Sequence, residues 1–178
     1  MNLRAATLPG VWVVEPALAE DERGFFARTF SASEFAAHGL EAAVAECSIA
    51  YNRARSTLRG LHYQSAPHEE SKLVRCTRGS VYDVVVDLRP HSPTHLRWEA
   101  VELSAENRLA LYVPAGCAHG YLTLDDDCEL LYQISGPHVP DAANGVRWDD
   151  PALGIEWPGA PLVISSRDAS YPDIATPR

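Results

Sequence analysis

Val81-Tyr82-Asp83-Val84-Val85-Val86-Asp87 is the most apolar run of the chain, and it is short and rich in β-branched residues. Those are the marks of a strand rather than a helix. Upstream, Lys72-Leu73-Val74-Arg75-Cys76 leads into it through a turn at Arg78-Gly79-Ser80. Downstream, Leu96-Arg97-Trp98-Glu99-Ala100 alternates as a strand with one wet face does. Leu109 to Val113, His119 to Leu124 and Cys128 to Ile134 continue the series, with Gly, Pro or Asp between them. Nearer the start, Val11-Trp12-Val13-Val14 reads as a strand. So does Gly24-Phe25-Phe26-Ala27-Arg28-Thr29-Phe30, after the charged turn Asp21-Glu22-Arg23. Helix signals are few. Ser31-Ala32-Ser33-Glu34 is a capping box, followed by Phe35-Ala36-Ala37-His38 and a stop at Gly39. Glu41 to Ala45 is expected to extend or follow that helix. Regular short strands with one or two short helices predict an all-β fold, a β-sandwich or barrel. The stretch after Pro137 reads as irregular but ordered. No repeat, low-complexity segment or linker interrupts the chain, so one domain is expected over residues 1–178.

A chain of 178 residues is long enough for a proper core. No run approaches a membrane span, and Met1-Asn2-Leu3-Arg4 lacks an apolar signal segment, so a cytoplasmic protein without membrane contact is expected. Cys47, Cys76, Cys117 and Cys128 are scattered with no CxxC pair, which points to structural thiols. The formal net charge of -9 argues against nucleic acid as a partner. It also means that an anionic substrate needs local arginines, because the overall field repels it.

Two stretches carry candidate chemistry. Leu58-Arg59-Gly60-Leu61-His62-Tyr63-Gln64 puts a permanent cation and an imidazole three residues apart. On a regular strand Arg59 and His62 take opposite faces, and a bend at Gly60 would bring both to one cavity. Arg suits a phosphate, and His suits proton transfer near neutrality. The second stretch is Pro114-Ala115-Gly116-Cys117-Ala118-His119, a PxGxxH turn opening a strand, as in cupin jelly rolls. Metal-binding cupins also need an earlier HxH, and here that place reads His62-Tyr63-Gln64. No metal is therefore expected, with His62, His119 and a Glu as the alternative ligand set.

The chain resembles the dTDP-4-dehydrorhamnose 3,5-epimerases and their sugar-nucleotide relatives. The matching stretches run in order: Asp21-Glu22-Arg23-Gly24-Phe25-Phe26, Leu58 to Gln64, Lys72-Leu73-Val74, Asp83 to Asp87 and Ser92-Pro93-Thr94. They continue with the PxGxxHG turn, Leu131-Tyr132, Trp148-Asp149-Asp150-Pro151 and Ser166-Arg167-Asp168. The resemblance implies a cupin jelly-roll homodimer without cofactor, acting on a nucleotide-diphosphate 4-keto-6-deoxy sugar. It implies His62 as base, Asp168 as its carboxylate partner, Lys72 as stabiliser of an enolate oxygen and Tyr132 as proton donor on the opposite face. Substrate contacts are implied at Arg23, Phe26, Arg28, Arg59, Gln64, Asp83, His119 and His138, with Arg23 and Arg59 on the diphosphate. Taken singly, Tyr132 reads as a core tyrosine and Asp168 as a turn residue; their joint occurrence in family order favours the catalytic reading.

Three places depart from the family pattern. Arg28 stands where Glu is usual, Cys47 and Ile49 stand for Gln and Asn, and His138 stands for a base-stacking Tyr. The nucleotide therefore stays open between thymidine and another base, and inversion stays open between carbon 3, carbon 5 or both. An isomerase moving the keto group, a metal-dependent cupin and a non-catalytic sugar-nucleotide binder are the rival readings.

Overall fold

In the computed structural model, which describes residues 1–174, nearly all of the regular structure is strand. The first part holds β1 (Asn2–Ala5), β2 (Trp12–Glu15), β3 (Leu18–Asp21), β4 (Gly24–Ala27), α1 (Ala32–Ala37) and β5 (Glu46–Asn52). The middle holds β6 (Thr57–Gln64), β7 (Lys72–Arg78), β8 (Ser80–Asp87), β9 (Trp98–Ser104), β10 (Ala110–Val113), β11 (Cys117–Thr123) and β12 (Cys128–Ile134). The last part holds a 3-10 turn (Pro140–Ala142), β13 (Ala143–Gly145), β14 (Val163–Ile164) and α2 (Ser166–Ala169).

Two sheets face each other. One runs β1-β2-β10-β7-β12-β5, the other β13-β6-β11-β8-β9, with β14 added in parallel to β6. The Val81–Asp87 run is β8, in the second sheet, and both of its faces are covered. Val81 and Val85 point inward to Val13, Val74, Leu111 and Leu130 of the opposite sheet. Val84 and Val86 point outward and are sealed by Val146, Leu153, Ile155 and Trp157. Two buried faces explain why this strand reads as continuously apolar rather than alternating. The segment after Pro137 thus serves as the second sheet's outer cover. Helix α1 covers the first sheet in the same way, with Phe35 against Val14, Leu73 and Tyr112. Ser31 caps α1 by accepting from the Glu34 N–H, as expected.

Three expectations need correction. Glu41 to Ala45 is not helical: the Ala45 N–H is taken by the Ile134 carbonyl, so the segment leads into β5. Tertiary pairing overrides the helix propensity of its alanines. The strand expected over Gly24 to Phe30 ends at Ala27, where its hairpin partner β3 begins. The strand expected from Leu96 begins at Trp98 and runs on to Ser104. Leu96 has φ +62°, outside the strand region.

Asp87, at the end of β8, ties down the loop that follows. Its side chain is fully buried, pairs with Arg89 at 2.8 Å and accepts from Ser92 and Thr94. Burial pushes its carboxyl up, but hydrogen bonds from Arg89, Ser92 and Thr94 outweigh that and hold it well below the usual carboxylate range. A depressed acid contributes stability above its unfolded value of about 3.9, and the contribution fades as pH falls further. Asp87→Asn is expected to cost about 3 kcal/mol at pH 7, because it leaves Arg89 without its buried partner. Urea titrations of both proteins should give curves that converge below about pH 4.

Candidate active site

Strand β6 brings Arg59, His62 and Gln64 to the inner face. Regular alternation would separate Arg59 from His62. Across the ladder, His119 of β11 pairs with His62, and Tyr121 pairs with Arg59. The β6 segment therefore carries one residue more than its partner, a bulge that turns both side chains inward. Gly60 sits in that bulge at φ +128°. Only glycine fits: a Cβ there would stand 2.6 Å from the Gly120 Cα and 3.0 Å from the His119 carbonyl. The bend expected at Gly60 is present.

Lys72 of β7 and Tyr132 of β12 project from the opposite sheet, beside Ser48 and Ala50 of β5. Together with Arg59, His62, Gln64, His119 and His138 they line one cavity of about 310 Å³. One wall thus offers imidazoles, and the facing wall a phenol and an ammonium.

His62 Nε2 lies 2.7 Å from Asp168 Oδ1. Asp168 is buried on α2, whose first turn is capped by Ser165, and its Oδ2 accepts from the Gly60 N–H at 3.2 Å. Burial pushes the Asp168 carboxyl up; the bond to His62, the imidazole's charge and the Gly60 N–H pull it down further, so it sits below its ordinary value. An ionised carboxylate only accepts, so Nε2 carries the hydrogen and Nδ1 keeps the free lone pair. His119 repeats the arrangement, with Nε2 at 2.8 and 3.0 Å from the two oxygens of Asp83. Burial raises the Asp83 carboxyl, against the opposing pull of His119. Asp83 stands behind His119 and is not part of the cavity wall, because its position on β8 lies one strand beyond β11.

The Tyr132 ring meets His119 edge-on, with centroids 6.0 Å apart. Burial, then Tyr121 and Asp83, raise its phenol well above the ordinary value, so it is a protonated donor at neutral pH. Burial likewise pushes Tyr121 up to about 12. Lys72 Nζ lies 3.2 Å from Glu70 Oε1 and donates to the His62 carbonyl at 3.5 Å. Gln64 braces the same corner by donating to Glu70 at 2.6 Å. Arg59 is held at the rim by Asn52 Oδ1 at 2.8 Å and the Tyr51 carbonyl at 3.2 Å.

Three anticipated contacts do not reach the cavity within one chain. Arg23 folds back onto Asp21, Phe26 is 75% exposed, and Arg28 lies near Glu34 at 3.9 Å. All three ride on or beside the β3–β4 hairpin, which pairs with neither main sheet. Conversely, Tyr63, Asn144 and Arg167 line the cavity without having been anticipated. Arg167 was within reach, since it adjoins Asp168 in sequence. Among the described residues no three His, Cys, Asp or Glu side chains are grouped as a metal-ligand set. Nor, among them, is any helix long and apolar enough to cross a membrane.

Comparison with known proteins gives a consistent result. The family described as dTDP-4-dehydrorhamnose 3,5-epimerase matches residues 5–176. The dTDP-4-dehydrorhamnose 3,5-epimerase of Mycolicibacterium smegmatis is 41% identical over 179 residues, covering 98% of this chain and 87% of that protein. The crystal structure of the Elizabethkingia anophelis enzyme of that name superposes with a TM-score of 0.94 at 34% identity, covering 98% of this chain and 96% of the other. A 3'-monoepimerase from Streptomyces bikiniensis, solved with dTDP-quinovose, superposes with a TM-score of 0.87 at 38% identity, covering 94% and 85%. The all-β, cupin-like fold expected from the sequence is the fold these structures share with the chain.

Proposed function

The chain belongs to the dTDP-4-dehydrorhamnose 3,5-epimerase family of sugar-nucleotide epimerases, and from that premise we propose that it inverts carbon 3, carbon 5 or both in a nucleotide-linked 4-keto-6-deoxyhexose. The observation that carries this reading is the placement of His62 and Tyr132 on opposite walls of one cavity. A ketone acidifies the C–H bonds on both neighbouring carbons. His62 Nδ1 removes one such proton, and the electron pair shifts onto the carbonyl oxygen as an enolate. The Lys72 ammonium stabilises that oxygen where its charge develops. Tyr132 then donates its phenolic proton to the carbon from the other face, which inverts the centre. Solvent resets the resulting imidazolium and phenolate. Asp168 holds the imidazole in the tautomer that leaves Nδ1 free. Asp83 does the same for His119, which orients the sugar.

The deciding experiment incubates the protein with 4-keto-6-deoxy sugars on thymidine, cytidine, guanosine and uridine diphosphates in deuterium oxide. Proton NMR then reports which carbons take up deuterium and invert. No deuterium at carbon 3 or carbon 5 on any nucleotide would overturn the reading.

We further propose a homodimer. A two-stranded hairpin is marginal by itself, yet β3–β4 stands apart with Leu18, Phe25 and Phe26 exposed. A second copy that covers this hairpin would place Arg23, Phe26 and Arg28 over its own cavity mouth, where a nucleotide diphosphate needs cations and an aromatic face. Phe26→Ser is expected to raise KM roughly tenfold and to weaken self-association, read by steady-state kinetics and analytical ultracentrifugation. The four free cysteines, three of them buried, fit a reducing cytoplasmic setting.

A further inference from the structure

We propose that Tyr171 is a positioning residue whose ring fixes the plane of the His62 imidazole; this rests on the proposed role of His62 as the base. The hydrogen bond from His62 Nε2 to Asp168 fixes one point of the ring. Tethered through Cγ and held at Nε2, the ring can still tilt about the line that joins those two points. The tilt would carry Nδ1 away from the substrate carbon, and small displacements of a reacting atom are costly. A neighbouring side chain packed against the ring would limit that tilt. Tyr171 is so placed: its ring meets the imidazole edge-on, with centroids 6.1 Å apart at 73°. The imidazole needs such support, because 41% of the His62 side chain is exposed whereas Asp168 is almost fully enclosed.

Tyr171 is itself held on two further sides. Gly145 of β13 lies opposite His62 in the ladder, and a Cβ there would stand 2.3 Å from Cε2 and Cζ of Tyr171. The ring therefore lies directly on the backbone beside the base, in a place open only because residue 145 is glycine. The Arg167 guanidinium closes another side, with its central carbon 5.9 Å from the ring centroid. The Tyr171 hydroxyl is buried with no hydrogen-bond partner among the described residues. The ring, and not the hydroxyl, is thus the working part.

The test compares Tyr171→Phe, Tyr171→Ala and Tyr171→Leu. Tyr171→Phe keeps the ring and retains kcat. Tyr171→Ala and Tyr171→Leu lower kcat about 10- to 100-fold with KM unchanged. The leucine variant keeps apolar bulk, so it stands in if the alanine variant does not fold. In parallel, the downfield imidazole proton of the His62–Asp168 bond should stay sharp in the wild type and Tyr171→Phe, and broaden by solvent exchange in the other two. Unchanged kcat in the leucine and alanine variants, a loss in Tyr171→Phe equal to theirs, or an equally sharp resonance in all four proteins would overturn the proposal. If the wild type itself turned over no 4-keto sugar, the functional reading would fail, while the resonance would still decide whether Tyr171 positions His62.

Discussion

His62→Asn abolishes deuterium uptake at the carbons flanking the ketone and lowers turnover by about 10³-fold or more. Asparagine fills nearly the same space and still offers an amide donor to Asp168, so the partner carboxylate is not stranded. What is lost is the free Nδ1 lone pair, which an amide nitrogen cannot supply. Arg59 cannot replace it, being a permanent cation. His119 does not stand in for it, being almost fully enclosed, with 4% of its side chain exposed against 41% for His62. The measurement is proton NMR of the 4-keto sugar in deuterium oxide, with circular dichroism to confirm the fold. Exchange at the wild-type rate would remove His62 from the mechanism.

Tyr132→Phe separates the two halves of the reaction. Proton removal by His62 does not involve the phenol, so exchange of ring protons with solvent persists, and the enolate takes deuterium back on the face it lost a proton from. Formation of the inverted product falls by about 10²-fold or more, because the other acid on that wall, the Lys72 ammonium, is held by Glu70 at 3.2 Å. Burial holds the Tyr132 phenol protonated far above neutral pH, so the donor is charged with its proton before the enolate appears. The measured quantity is the ratio of exchange to inversion. If exchange and inversion fell together, Tyr132 would act on the first step, and the opposite-wall assignment would be wrong.

Much of this was legible in the sequence, for physical reasons that differ from place to place. Strand β8 announces itself because a strand covered on both faces needs apolar, β-branched side chains at nearly every position. The bulge at Gly60 was legible because a glycine between Arg and His has few other uses within a strand. Strand β5 was missed: it is an edge strand, and Cys47, Ser48 and Ile49 are exposed on it, so it carries no clean alternation. Strand β3 was missed for the same reason, all four of its residues being exposed. Asp168 needed the family pattern, since nothing local says that a residue of α2 folds back onto β6. Tyr171 gives no signal at all in one dimension. Its role depends on Gly145 and His62 meeting across a ladder, which only the three-dimensional structure brings together.

Because His62 stands on one sheet and Tyr132 on the other, the gap between the proposed base and the proposed acid is the thickness of the hydrophobic interior. Val74, Val85 and Leu130 belong to the buried cluster that fills this interior. A methyl group gained or lost there would alter the stroke over which a proton donor must reach, without touching the sugar.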